Sequence, residues 1–349
     1  MLYPLLFEPN LHPTVWGGKQ IRTYKNLQPS DEPIGESWEV SVVPSSVSII
    51  SNGAFRGMPL DRVVREQGAD LLGKSVFEQY KGEFPLLVKF IDAADDLSIQ
   101  VHPNDEMSQR VEGKNGKTEC WYIIKAEPGA YLYAGMKENI SQDEYVKRVE
   151  DGTICDVLAK HQVKTGDVFY LPAGRVHAIG GGILLAEVQQ NSDVTYRIFD
   201  YNRPGLDGKP RQLHTDKALQ AIDFSVQDEY RTIYNNAEQR ANPCIESPFF
   251  TMRIVVTNRP FHRNLLKYDS FIVTMCIEGD CTIQVRSTGD SILLKEGHSC
   301  LIPASIADYD IIPQNGMGTT RLLDAYINNS KNLINKANEI ILFVRDNLF

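Results

Sequence analysis

The chain has 349 residues, room for two domains of ordinary size, and 42% of them are apolar, ample for packed cores. It carries 36 Lys+Arg against 45 Asp+Glu, a formal net charge of −9. With no clustered Lys/Arg stripe, that balance argues against a nucleic-acid partner, while a local cationic pocket for a small phosphate stays open.

In chain order, residues 1–9 are interrupted by Pro4 and Pro9 and lack a basic flank, so no secretory signal is expected there. The run 37–43 reads as a strand, and 59–72 reads as a helix with Leu60, Val63, Val64, Leu71 and Leu72 on one face. Residues 84–91 are a compact buried strand that leads into the segment Ser98-Ile99-Gln100-Val101-His102-Pro103-Asn104-Asp105. On a strand, residues two apart leave the same face, so Gln100 and His102 point together. Residues 141–150 read as a helix with Ser141 as cap, Glu144 three residues on, and Gly152 as its stop. A short turn of helix over 153–158, strands over 163–200 and a short helix over 216–223 follow, and from about 245 the pattern is again mostly strands. Residues 328–349 suit an amphipathic helix that packs on protein rather than on a membrane.

The six cysteines (Cys120, Cys155, Cys244, Cys276, Cys281, Cys300) form no C-x-x-C pair and read as free thiols of a reducing cytosol. No apolar run reaches the ~20 residues of a membrane span. A cytoplasmic protein with no membrane partner is the expectation.

The chemistry-bearing residues lie in three spaced segments: Gln100 with His102, then Lys117-Thr118-Glu119, then Gly166 to His177. In the third, Gly166-Asp167 turns into a strand and Pro172-Ala173-Gly174 breaks it, so that His177 enters on the next strand. Glycine, five residues, Pro-Ala-Gly, two residues and histidine is the spacing of the second cupin motif; in the first motif Gln100 stands where a histidine is usual. One amide, two imidazoles and one carboxylate converging in a small barrel make an N/O metal site with room for water or substrate. The spacing recurs as Gly297, Pro303-Ala304-Ser305 and Asp308, which reads as a second barrel without metal.

Near these ligands, Lys117 shares the strand face of Glu119, and Lys89 ends an apolar strand where an unpaired ammonium is costly. Arg197 and Arg203 follow the second motif, and Ser98 shares the face of Gln100. The fold class expected is mainly β, two cupin jelly-roll barrels with a few short helices. Its divisions are a catalytic metal-binding domain over 1–240, a degenerate metal-free domain over 241–327, and a helical tail over 328–349.

Gly35-Glu36-Ser37-Trp38-Glu39, Phe84 to Lys89, Gln100 to Asp105, Lys117-Thr118-Glu119, Pro172-Ala173-Gly174 with His177, and Gln190 to Arg197 together resemble the type I mannose-6-phosphate isomerases. The likeness is to the short bacterial form and runs from about residue 3 to 215, the second barrel extending it to about 325. The resemblance implies one Zn²⁺ per chain, held by Gln100, His102, Glu119 and His177, and interconversion of mannose 6-phosphate and fructose 6-phosphate through a cis-enediol(ate). It places Arg197 and Lys117 in catalytic positions, with Ser98, Lys89 and Arg203 toward the substrate and its phosphate. A monomer or homodimer is expected, with no nucleic-acid partner. Two other readings compete: a different metal-dependent cupin enzyme such as a dioxygenase, and a sugar-binding cupin without catalysis.

Overall fold

The computed structural model describes residues 1–314 and 318–328, and its backbone is mainly β. The helix expected over 328–349 falls outside the described residues from 329 onward. Contacts divide the chain into two units that interleave in sequence: Glu8–Ser48 with Pro85–Ile233, and Met1–Phe7 with Ile49–Phe84 and the chain from Tyr234.

In the first unit, a six-stranded sheet runs in the order Leu11–Gly18, Ile34–Val40, Leu86–Ala93, Ile183–Gln190, Glu119–Ala126, Val168–Leu171. A five-stranded sheet runs Tyr196–Phe199, Ile99–Val101, His177–Ile179, Tyr131–Met136, Leu158–Gln162. One apolar cluster draws on both, with Ile91, Trp121, Ile123 and Leu185 from the first sheet and Leu132, Ala134 and Ile179 from the second. The strands Leu86–Ala93 and Ile183–Gln190 are buried at every position, which explains why they read as continuous apolar runs rather than alternation. The other face of the five-stranded sheet buries Val101, Tyr133, Ala178 and Ile198 with Tyr145 and Ala218, which come from the helices Gln142–Glu150 and Thr215–Ala221. Ser141 caps the first of these as the sequence indicates, its hydroxyl accepting from Glu144 N at 3.1 Å.

The second unit repeats this plan. Counting eight strands from Leu86–Ala93, the sheets of the first unit contain the orders 1-8-3-6 and 2-7-4-5; counting eight from Thr251–Thr257, the second unit gives the same two orders. The expected repeat is therefore present at the level of strand order. The Asp308 equivalence with His177 does not carry over to side-chain direction. Tyr309 and Ile311 are the residues of their strand that enter the core of this unit, whereas Asp308 is half-exposed and pairs with His262 Nε2 at 3.2 Å. Strand side chains alternate, so an offset of one residue moves the whole set to the other face.

Three helices were not legible in the sequence: Gln20–Tyr24, Lys74–Gln79 and Asp105–Glu112. The last is mostly polar and buries only Met107 and Ser108, too little for periodicity to register. The expected helix over 59–72 is two, Leu60–Gln67 and Ala69–Leu72, parted at Gly68, whose φ of +50° ends a right-handed helix. No helix among the described residues is long and apolar enough to cross a membrane.

Candidate active site

The register of the five-stranded sheet sets three side chains in a row. Gln100 stands opposite His177 on one neighbouring strand and opposite Arg197 on the other. Adjacent strands are about 4.8 Å apart, so the row spans about 10 Å. Glu119 opens a strand of the six-stranded sheet, and His102 follows directly on Val101.

His102 Nε2 lies 3.4 Å from Glu119 Oε2, and His177 Nε2 lies 3.2 Å from Glu119 Oε1. Each Nδ1 meets a backbone carbonyl at 2.8 Å, Val194 O for His102 and Arg175 O for His177. A carbonyl only accepts, so each Nδ1 carries the proton and each Nε2 turns its lone pair inward. The potential ligand atoms of His102, Glu119 and His177 fall within 4.8 Å of one another, the one such cluster of His, Cys, Asp and Glu among the described residues. Gln100 Nε2 is 3.2 Å from His177 Nε2, which brings the fourth expected ligand to the same place.

The electrostatics suit a cation. Burial, helped by the charge of Lys117, drives His102 down to about 3, and burial likewise lowers His177. Burial alone would raise Glu119, but Lys117 and the two imidazoles hold it well below the usual carboxylate range. The set at neutral pH is two neutral imidazoles and a carboxylate, the protonation state in which these groups ligate metal. His102 Nε2 and both oxygens of Glu119 are buried without a hydrogen bond. Buried polar atoms left so are costly, and a divalent ion at their centre removes that cost. The residues fit a metal.

Ser98, Gln100, Lys117, Lys89 and Arg197 all line one cleft of about 340 Å³, with Trp16, Trp38 and Trp121 on its walls. Lys117 Nζ sits 2.9 Å from Glu119 Oε2. The buried Lys89 is paired, as its apolar strand demands, with Glu36 at 3.1 Å and Glu187 at 3.4 Å. Burial by itself would lower the pKa of this ammonium, but the two carboxylates outweigh it and raise it. Arg203 is not on the cleft wall; it is taken up by Asp200 at 3.1 Å and Asp95 at 3.3 Å.

Glu36, Glu187, Arg211 and His214 are among the cleft residues with no role assigned from sequence. Glu187 had a signal, being a lone carboxylate in the apolar run Ile183 to Val188, and the register sets it opposite Lys89. Arg211 and His214 lie in irregular chain where no periodicity marks them. Residues around the ligand-bearing segments act as a clip. Asp105 Oδ1 accepts from Gly116 N at 2.8 Å and from Gln190 Nε2 at 3.0 Å, and Gln190 Oε1 accepts from Thr118 N at 2.8 Å. That clip fixes the segment carrying Lys117 and Glu119.

Comparison with known proteins shows the family. A family model for the phosphomannose isomerase type I catalytic domain matches residues 5–151, which include Lys89, Gln100, His102, Lys117 and Glu119. The chain belongs to the type I mannose-6-phosphate isomerase family, whose members are aldose–ketose isomerases. It is 37% identical to mannose-6-phosphate isomerase of Streptococcus mutans, over 72% of this chain and 78% of that protein. It is 34% identical to mannose-6-phosphate isomerase ManA of Bacillus subtilis, over 88% of this chain and 95% of that one. The crystal structure of the mannose 6-phosphate isomerase from Bacillus subtilis superposes with a TM-score of 0.83 at 31% identity, covering 93% of this chain and 100% of that chain. A phosphomannose isomerase structure from Salmonella typhimurium shares the fold at 17% identity, with a TM-score of 0.75 over 94% of this chain and 100% of that chain.

Proposed function

We propose that this chain is a zinc-dependent, cytosolic enzyme interconverting D-mannose 6-phosphate and D-fructose 6-phosphate through a cis-enediol(ate). The observation that carries this reading is the buried convergence of the potential ligand atoms of His102, Glu119 and His177 beside a cleft lined by Gln100, Lys89, Lys117 and Arg197. The names of its relatives supply the sugar.

His102, Glu119, His177 and Gln100 would hold the ion, and zinc supplies Lewis acidity that polarises the carbonyl and hydroxyl oxygens without redox chemistry. The isomerisation moves one proton between adjacent carbons, so the protein must take up and return that proton while stabilising the oxyanion. Arg197, beside Gln100, and Lys117, beside Glu119, are cations fixed where that negative charge develops. Glu187 is suited to carry the proton. It lines the cleft, accepts from Trp121 Nε1 at 2.8 Å, and has its proton affinity raised by burial and by the charge of Glu119. Trp16, Trp38 and Trp121 supply apolar wall to the same cleft. In this reading the second unit is a metal-free partner of the catalytic one, since its inward Tyr309 offers no imidazole.

NMR of mannose 6-phosphate incubated with the protein in D₂O tests the reading. Fructose 6-phosphate with deuterium next to the carbonyl is the expected product. Binding without turnover would favour a sugar-binding barrel, and iron-dependent oxygen uptake without isomerisation would favour a dioxygenase.

A further inference from the structure

We propose that Arg211 and His214 form the anion subsite that takes the phosphate monoester of the substrate, with the buried carboxylate of Asp200 holding Arg211 in place. This rests on the isomerase reading above for the identity of the ligand, but not for the presence of the subsite.

Position comes first. His214 extends the row that begins at the metal ligands. Its N–H donates to Arg197 O at 2.8 Å, and its Nδ1 accepts from Arg197 N at 3.1 Å. The order across the sheet is therefore His177, Gln100, Arg197, His214. His214 thus lies farther from the metal ligands than Arg197 does, on the side where a substrate with its first two carbons at the metal end would carry its phosphate.

Donor supply comes second. An Nδ1 that accepts carries no proton, so His214 presents Nε2–H as a donor at the cleft wall. Arg211 grips Asp200 side-on, Nε to Oδ2 and Nη2 to Oδ1, both at 2.6 Å. That grip leaves Nη1 outside the pair, on a residue that lines the cleft. Arg203 is the contrasting case. Its Nε donates to Asp200 at 3.1 Å and its Nη1 to Asp95 at 3.3 Å, while its Nη2 is buried without a hydrogen bond and the residue does not line the cleft. The arginine that sequence favours for phosphate is thus off the cleft wall, and Arg211 is on it.

Charge comes third. Arg197, Arg203 and Arg211 lie close enough that, after burial, the charge of Arg211 is the next cause depressing the pKa of Arg197. The carboxylates touching the latter two arginines are Asp200, 5% exposed, and the surface Asp95. Asp193, also on the cleft wall, is paired with Lys114 at 2.7 Å. Arg197 Nε is buried without a hydrogen bond. Three guanidinium groups around one buried carboxylate leave an excess positive charge in a half-closed cleft, and a dianion is its natural complement.

The test uses the metal-loaded full chain and two readouts: steady-state kinetics with mannose 6-phosphate, and ³¹P NMR titration with inorganic phosphate, which needs no turnover. R211Q is expected to raise KM about 20-fold or more with kcat within about threefold, and to weaken inorganic phosphate about tenfold. H214F, which removes the Nε2 donor, is expected to raise KM about fivefold. R203Q is expected to show the smaller KM increase of the two arginine variants. R211K, which keeps the charge should R211Q fold poorly, is expected to recover part of the loss. An R211Q protein that binds inorganic phosphate as wild type does, or a larger loss in R203Q than in R211Q, would overturn the subsite. Phosphate binding that is lost in R211Q, in a wild-type protein that never isomerises the sugar, would keep the subsite and end the isomerase reading.

Discussion

Glu119 faces His102, His177 and Lys117 at once from complete burial. Glu119→Gln keeps the shape and removes the charge. It should cut metal retained after dialysis about tenfold and activity by about two decades, with the circular dichroism unchanged. Wild-type metal content in that variant would remove Glu119 from the ligand set. Arg197→Ala should lower kcat/KM by about two decades, about 3 kcal/mol of transition-state stabilisation, and a loss under about tenfold would mean its role lies elsewhere. Glu187→Gln should abolish deuterium incorporation while inorganic phosphate still binds, because the proton carrier and the anion subsite are different residues. The buried imidazoles also set a pH dependence for the metal-free protein. His102 titrates near 3 when folded and at its ordinary 6.5 when unfolded, so between these values the unfolded chain binds more protons and stability rises with pH. The stability is full above about 6.5 and drains away as pH falls toward 3; Glu119, also depressed, adds to the loss in the acid range. A thermal midpoint that falls between about pH 7 and pH 5 is expected, and a flat profile there would contradict the burial of these rings.

At the scale of elements, local sequence signals were read correctly where they act locally. Ser141 caps its helix, and the strands around Leu86 to Ala93 and Ile183 to Gln190 were visible because burial on both faces makes them uniformly apolar. The helix Asp105–Glu112 was not visible because its cap, Asn104 Oδ1 accepting from Met107 N at 2.9 Å, lies within a segment whose other residues look like loop. The clip between Asp105, Gly116 and Gln190 joins residues far apart in the chain and has no local signature. Gly116 also lacks space: a Cβ there would lie 2.5 Å from the backbone of Asn104 and Asp105. Gly116→Ala should therefore displace Lys117 and Glu119, reducing both metal content and activity. Equal loss of thermal stability with normal metal content would show that the segment tolerates the shift.

At the scale of the molecule, two units of the same strand order carry one ligand cluster among the described residues. Metal analysis should return one equivalent per chain, and two equivalents would require a second site. The repeat shows what a sequence fixes and what it leaves open. The spacing of glycine, proline and the following residue is a property of turns, which depend on neighbours in the chain, and so it reported both copies. Which face a strand residue then takes depends on register, a property of pairing between distant segments, and so Asp308 points outward where His177 points in. By itself the amino-acid order pointed to the mainly-β class and to the residues of the His102, Glu119 and His177 cluster with Lys117 beside it, because residue type and alternation decide these. Tertiary structure alone decided that Asp200 holds both Arg203 and Arg211 while only Arg211 lines the cleft. Both are arginines in one irregular loop, and only their folded positions, with Asp95 beside Arg203, tell them apart.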